Sequence, residues 1–516
     1  MKLKNVYEIF SLKEPEKFDA NILGDNTKNK EEAKEDGKSV AIFLEENEKY
    51  IKSILSNCSD LIIRPISLFG NKEYKAIIIY LSEFNSTNVI ESIVIKKLLD
   101  KNKLTIKEIE EHIKYTFGLN DNEVVLKINS CIKEVLNGKI VIFIEMIDKA
   151  FILDLKQSLD IPILEPNTET ALRGPRESFT ETLNTNINLI RRIIKNPKFK
   201  IEKETVKGDT NTELAMCYLV GAVDEKVLLE VKSRINRINI NQIISSNTVL
   251  EAIEDDTVTI FPTIFRTERP DVAASKIMEG KVVIIVDGSP IILSIPALFV
   301  EFMQSADDYY IEYIPATFNR WLRYIGISIS LIFPSLYIAL MSFQQELIPT
   351  PLAISIIRSR SGVPFPSVWE CFFMLFTYDI IREASLRIPK ALGNTVSIVG
   401  ALILGEAAVK AGIVGAPIII IVAFSGISLF SIPSLELNTA IVVIKYIMLI
   451  LAAIFGVIGI VNGMLFLAVY MVSRRSFGVP YMYPIAPFNL KRNEDTIIRT
   501  PIWKLDKNFK LFKNKR

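Results

Sequence analysis

Residues 446–472 read YIMLILAAIFGVIGIVNGMLFLAVYMV, 27 positions in a row without a charged side chain. A helix needs about 20 apolar residues to cross a hydrocarbon core, whereas a core helix of a soluble protein uses roughly 10–14. Working outward, 411–435 is uncharged over 25 residues and 324–345 over 22. Three such runs exclude a wholly soluble protein. They predict an all-α polytopic transmembrane domain over 322–472. Ahead of it, residues 1–290 carry most of the charge, so the chain-wide averages of 49% hydrophobic and 23% charged residues describe neither half.

Charge sets the expected topology. The stretch 474–516 holds 11 Lys or Arg against 3 acidic residues, which places a basic tail (473–516) in the cytoplasm. The first residues, MKLKNVYEIFSLKEPEK, contain no apolar core of secretory length, so the N-terminal half is expected on the same side. Two ends on one side require an even number of crossings, and four fit: about 322–344, 392–411, 414–433 and 440–472. Between the first two lies 369–388, WECFFMLFTYDIIREASLRI. Asp379, Glu383 and Arg387 share one face of such a helix, with Arg382 beside it. We read it as an amphipathic helix at the interface or lining a polar cavity. Were it to cross, a further crossing would be needed near 291–304.

The charged half reads as α/β. After a flexible segment, 1–39, a first subdomain (40–160) has strands at 61–69, 74–82, 139–147 and 149–155, and helices at 88–100, 105–117 and 122–136. A second (161–296) has helices at 179–194, 225–238 and 269–280, and strands at 199–206, 212–220, 281–286 and 290–296. Residues 297–321 form a connecting amphipathic segment. Asp287 ends a strand and could be called catalytic, but Asp287-Gly288 is the dipeptide of tight hairpin turns, the simpler explanation.

Little points to an enzyme. There is no GxxxxGK[ST], no GxGxxG after a strand and no HExxH, and the only histidine, His112, sits beside two glutamates on an expected surface helix. Cys58, Cys131, Cys217 and Cys371 are far apart, which argues against a zinc site or a disulfide framework. No cofactor is expected. Arg173, Arg176, Arg191 and Arg192 suggest a basic patch, but Glu177 and Glu181 interleave with them. A salt-bridged surface or subunit contact fits better than nucleic acid. Within the apolar half, ionisable groups are expensive and often mark a pathway. Glu406 and Lys410 stand at i, i+4 and Lys445 near the start of the last span. Each also has a bland reading, a structural pair for the first two and snorkelling for Lys445. Gly459-x3-Gly463 and Ala408-x3-Gly412 are close-packing patterns.

Several long stretches resemble one family: RGPRESFTETLNTNINLIRR (173–192), ERPDVAASKIMEGKVVIIVDGSP (268–290), DDYY (307–310), ELIPTPL (346–352), SRSGVPFP (359–366), DIIREASLRIP (379–389), SIVGALILGEAAVKAGIVGAP (397–417) and SFGVPYMYPIAP (476–487). The first contains Arg173, Gly174, Pro175, Arg176 and Glu177. The sequence resembles the A subunits of spore germination (nutrient germinant) receptors over about 165–487. Glu406 stands where members usually carry an uncharged Gln, and Gln344 where a His is common. The resemblance implies a multi-pass protein of the spore inner membrane, with both termini on the cytoplasmic or core side. It would act with a permease-like B subunit and a lipoprotein C subunit, oligomerise, and pass the signal as ion release through a channel. On this reading 369–412 lines the path, with Asp379, Glu383 and Glu406 as acidic groups, Lys410 or Arg387 neutralising them, and Gly400 and Gly405 leaving room. A secondary transporter of ions or small solutes is the alternative, but no repeat in hydropathy supports it.

Overall fold

The structure is a computed structural model. It describes residues 38–68, 74–82, 84, 90–99, 106–120, 123–155, 165–166, 168–387, 405–488, 493 and 495–504. Most of the expected segment 1–39, much of the expected span 392–411 with Gly400, and the chain beyond 504 lie outside the described residues.

The first subdomain opens on helix α1 (Leu44–Ile54) and strands β1 (Leu61–Ser67) and β2 (Lys75–Leu81). A π-helical turn (Ile90–Ile95) then runs into α2 (Lys96–Leu99). There follow α3 (Ile106–Phe117), β3 (Val124–Val125), α4 (Ile128–Leu136), β4 (Ile140–Ile144) and β5 (Ala150–Leu153). The sheet order is β1-β2-β4-β5-β3, antiparallel throughout. Strands β2, β4 and β5 are buried on both faces, because α1 and α4 cover one and α2 and α3 the other. That double cover explains why the strands read as Ile-rich runs rather than alternating patterns. Within the expected helix 122–136, the β-branched pair Val124–Val125 instead pairs with β5 as an edge strand.

The second subdomain repeats the first. Its elements are α5 (Leu183–Ile193), β6 (Phe199–Val206), β7 (Thr212–Leu219), α6 (Glu225–Asn236), α7 (Ser246–Ile253), β8 (Phe265–Thr267), α8 (Pro270–Met278), β9 (Val282–Val286) and β10 (Ile292–Ile295). The sheet order, β6-β7-β9-β10-β8, is that of the first sheet position for position. At Asp287-Gly288 the Asp287 carboxylate accepts the amide of Leu183, the first residue of α5, at 3.0 Å. Asp287 is thus a turn and capping residue. The two sheets meet through a buried ion pair. Arg191 of α5 donates twice, at 3.0 Å, to Asp60, and both side chains are fully buried.

Two 3-10 turns (Phe299–Met303 and Ala306–Tyr309) lead into α9 (Tyr313–Ser342), α10 (Thr350–Arg360) and α11 (Ser367–Arg387). Residues 405–410 are helical, and α12 (Ala416–Leu429) and α13 (Leu435–Ser473) complete the bundle. Among the described residues, α9 and α13 are long and apolar enough to cross a membrane, and α12 is a shorter apolar helix.

Helix α13 corrects the expectation of one crossing over 440–472. Gly456 adopts φ 61° and ψ −140°, outside the helical region. At this point the chain doubles back. A Cβ on Gly463 would lie 2.6 Å from Met448 Sδ, and one on Gly459 would overlap the Leu451 carbonyl oxygen. In a straight helix, residues 448 and 463 would be about 22 Å apart. Leu437 and Met471, near the two ends, share one core cluster with Phe261 of the second subdomain, Phe302 and Tyr481. The expected rod is therefore a helical hairpin whose ends both rest on the second subdomain. Gln344, just past α9, meets the hairpin tip, its Oε1 accepting the Val457 amide at 3.4 Å.

Over 369–388, helix α11 packs one face on the bundle, Cys371 and Leu375 lying against Tyr337, Ile338 and Leu449, while Trp369, Phe373, Phe376 and Ile380 on it are exposed. The described residues of the expected basic tail are built into the fold. Phe477 belongs to the core of the second subdomain, and Asp495 is held by Arg320 and Tyr309.

Candidate functional site

Polar side chains form tiers through the bundle, from its far end to the soluble domain. At the far end, buried Glu370 of α11 accepts from Arg360 at 2.6 Å and 3.2 Å and from the Gly415 amide at 3.0 Å. One carboxylate thereby joins α10, α11 and the start of α12. Midway, Asp379 accepts from Lys445 Nζ at 3.1 Å and from the Tyr446 hydroxyl at 2.6 Å. Lys445 is fully buried, so it does not snorkel. One turn on, Arg382 donates to Asn438 at 3.0 Å, near the start of α13.

The lowest tier is the junction with the soluble domain, where all four residues of the DDYY motif have partners. Asp307 accepts the amides of Leu172 and Arg173 at 3.3 and 3.2 Å. Fully buried Asp308 accepts from Arg320 at 3.0 Å and from Arg323 at 2.7 and 2.8 Å. The Tyr309 hydroxyl donates to Asp495 at 2.6 Å, and that of Tyr310 to Asp271 at 2.5 Å. The motif thus ties the backbone at 172–173, α9, the stretch around Asp495 and α8 to one point. Gly174, at φ 116°, lies where a Cβ would strike the Tyr310 ring.

Beside the junction is a cavity of about 600 Å³, walled by Glu169, Arg266, Arg269 and Lys276 of the soluble domain, Arg323 of α9, and the 430–438 turn between α12 and α13. Burial, opposed by the Thr267 hydroxyl and reinforced by Glu436, raises the Glu169 carboxyl to about 7. Arg269 grips Asp271 at 2.7 and 3.1 Å. Buried Glu301 takes both Lys276 and Lys281, and burial lowers Lys281 to about 8. Among the described residues no group of His, Cys, Asp and Glu could hold a metal ion.

The structure separates the residues singled out in the sequence. Glu406 and Lys410 pair with each other at 2.6 Å on an exposed surface, whereas Asp379 pairs with Lys445. Glu383 is exposed, and Arg387 ends α11. Gly405 is buried near Ile419. At Gly412 a Cβ would lie 3.4 Å from the Gly362 carbonyl oxygen. This glycine lies beyond the 405–410 helix at φ 68°, and the amides of Gly412 and Ile413 close onto Val409 and Ala408, a left-handed helix stop. Arg176 pairs with Glu165 and Arg192 with Glu177 on the surface, while Arg191 is buried. Arg360, Glu370, Asn438, Tyr446, Arg320 and Arg323 were not singled out. Arg360 lies within the quoted SRSGVPFP motif and Glu370 just after it, and a charge within an apolar helix was the signal available for Glu370.

Residues 49–511 match the family model described as the Bacillus/Clostridium GerA spore germination protein. The chain belongs to this family. It is 41% identical to spore germination protein KA of Bacillus subtilis over 88% of this chain and 83% of that one. Spore germination protein A1 of the same organism is 36% identical over 82% and 87%. An uncharacterized membrane protein, YfkQ, is 35% identical over 89% of each chain. The crystal structure of the N-terminal domain of the A subunit of the Bacillus megaterium germinant receptor GerK3 aligns at a TM-score of 0.39 and 28% identity, covering 51% of this chain and 98% of that one.

Proposed function

We propose that this germinant receptor A subunit is a multi-pass protein of the spore inner membrane, with both termini on the core side. Acting with a permease-like B subunit and a lipoprotein C subunit, it turns nutrient sensing into ion release and germination, as an oligomeric ion channel. Six crossings satisfy the requirement for two ends on one side: α9, α11, the span expected from the sequence at 392–411, α12 and the two legs of α13. The legs of α13 would be about 31 and 25 Å long, close to the thickness of a hydrocarbon core.

The observation that carries the reading is the Asp379–Lys445–Tyr446 cluster around fully buried Lys445. A fully buried lysine among apolar helices persists only with a partner. The cluster connects α11 to α13, and Arg382–Asn438 extends the connection to the 430–438 turn at the soluble domain. Movement of that domain against the turn would reach the charge pair through these contacts. Exposed Glu406 and Lys410 remain available to line a path between copies of the chain, where rings of like side chains set selectivity.

Spores carrying Asp379→Asn or Lys445→Met are expected to lose nutrient-triggered cation release, and the charge-swapped double variant should recover part of it. Normal release from either single variant, at normal abundance and correct insertion, overturns the coupling role. Loss of uptake of one solute, with germination intact, would favour the transporter.

A further inference from the structure

We propose that the turn at 256–260 of the second subdomain is a lipid-contacting wedge, with Val258 and Ile260 entering the interfacial layer of the bilayer beside the end of α13. The inference rests on the reading that α13 lies in a membrane. Val258 is 81% exposed and Ile260 39%, although both belong to a turn held firmly in shape. The Asp256 carboxylate accepts the Val258 amide at 3.3 Å, and the Thr259 hydroxyl donates to the Phe261 carbonyl at 2.9 Å. Phe261 itself is buried, its ring 6.2 Å from those of both Tyr470 and Tyr481.

The position of the turn selects the partner. The Ile260 amide donates to the Tyr470 hydroxyl at 3.4 Å, and Asp256 pairs with Arg474, which covers the Tyr470 ring at 4.2 Å. Tyr470 and Arg474 bracket the end of the second leg of α13. An aromatic ring beneath a basic residue at a helix end is the arrangement of a membrane–water boundary. The turn therefore stands at the depth of that boundary. Phe466, Val469 and Val472 of the same leg are exposed, so apolar surface continues from the leg toward the turn. Asp255 is paired with Arg234 and Asp256 with Arg474, which offsets their opposition to an anionic leaflet, while Glu254 accepts from the Thr263 hydroxyl. Such a wedge fixes the tilt of the soluble domain on the membrane without adding a crossing.

The test uses the full chain in liposomes, with Cys58→Ser removing the one cysteine that is not buried. A nitroxide is attached at Val258→Cys, and its collision rates with oxygen and a water-soluble nickel chelate are measured. Phe466→Cys serves as the in-membrane reference and Tyr115→Cys, on α3, as the aqueous one. The label at 258 is expected to favour oxygen over nickel, at a depth shallower than 466. A label at 466 in lipid with 258 behaving like 115 overturns the wedge alone. Protection of 258 from both reagents means that a protein covers it, and overturns the wedge as well. If 466 is also aqueous, the membrane reading of α13 fails with it.

Discussion

Glu169 shows how one side chain reports on its surroundings. Its carboxyl faces the junction cavity, accepts from Thr267 at 2.6 Å, and is raised from 4.5 to about 7 mainly by burial. The native state therefore holds this proton more tightly than the unfolded chain does. The stability so contributed is complete below 4.5 and is lost as the pH rises to about 7. Glu169→Gln keeps the group neutral at every pH. Melting temperatures of the purified protein should fall more steeply between about pH 5 and pH 8 for the wild type than for the variant. Parallel curves would mean that Glu169 titrates normally. No sequence pattern marks this residue, because its environment is assembled from the 168–170 segment, β8 and the start of α13.

At the scale of elements, the hairpin in α13 is the feature that hydropathy alone misreads. Two apolar legs joined at a single glycine give the same trace as one long helix, and only backbone geometry separates them. The spacing of Gly459 and Gly463 was visible as a packing pattern, but the partner face is the first leg of the same helix. Gly459→Val has no room at the Leu451 carbonyl and should cost about 1–3 kcal/mol or more, as overpacking does. Gly362→Ala, with open space around its Cβ position, supplies the neutral comparison. Thermal unfolding in detergent reads both. Equal melting temperatures would count against the close approach of the two legs.

At the scale of the molecule, two copies of one sheet topology are locked together and then tied to a helical bundle. The lock is Asp60–Arg191, bidentate and fully buried. Asp60→Ala leaves a guanidinium without its partner, and breaking a buried pair in this way costs about 3–5 kcal/mol. Replacing both by apolar residues, Asp60→Leu with Arg191→Met, should cost less than the single change. Calorimetry is expected to show the single variant melting earlier, the first subdomain separating from the second. A single variant as stable as the wild type would make the pair incidental. The sequence reading put Arg191 on a salt-bridged surface or subunit contact, because adjacent Arg191 and Arg192 look alike until the helix assigns them to different faces.

What the sequence determined by itself was local or compositional. The division into a charged α/β half and an apolar helical half follows from hydropathy, because apolar runs of that length have no place in water. The strands, the Asp287-Gly288 turn and the family motifs follow from short-range chemistry in the same way. Only the tertiary structure decided which charges meet. Lys445 reaches Asp379 across 66 positions and Asp495 reaches Arg320 across 175, whereas Glu406 and Lys410, one turn apart on one helix, pair with each other. Such pairings depend on how elements pack, and periodicity within one element carries no record of the neighbour it will face.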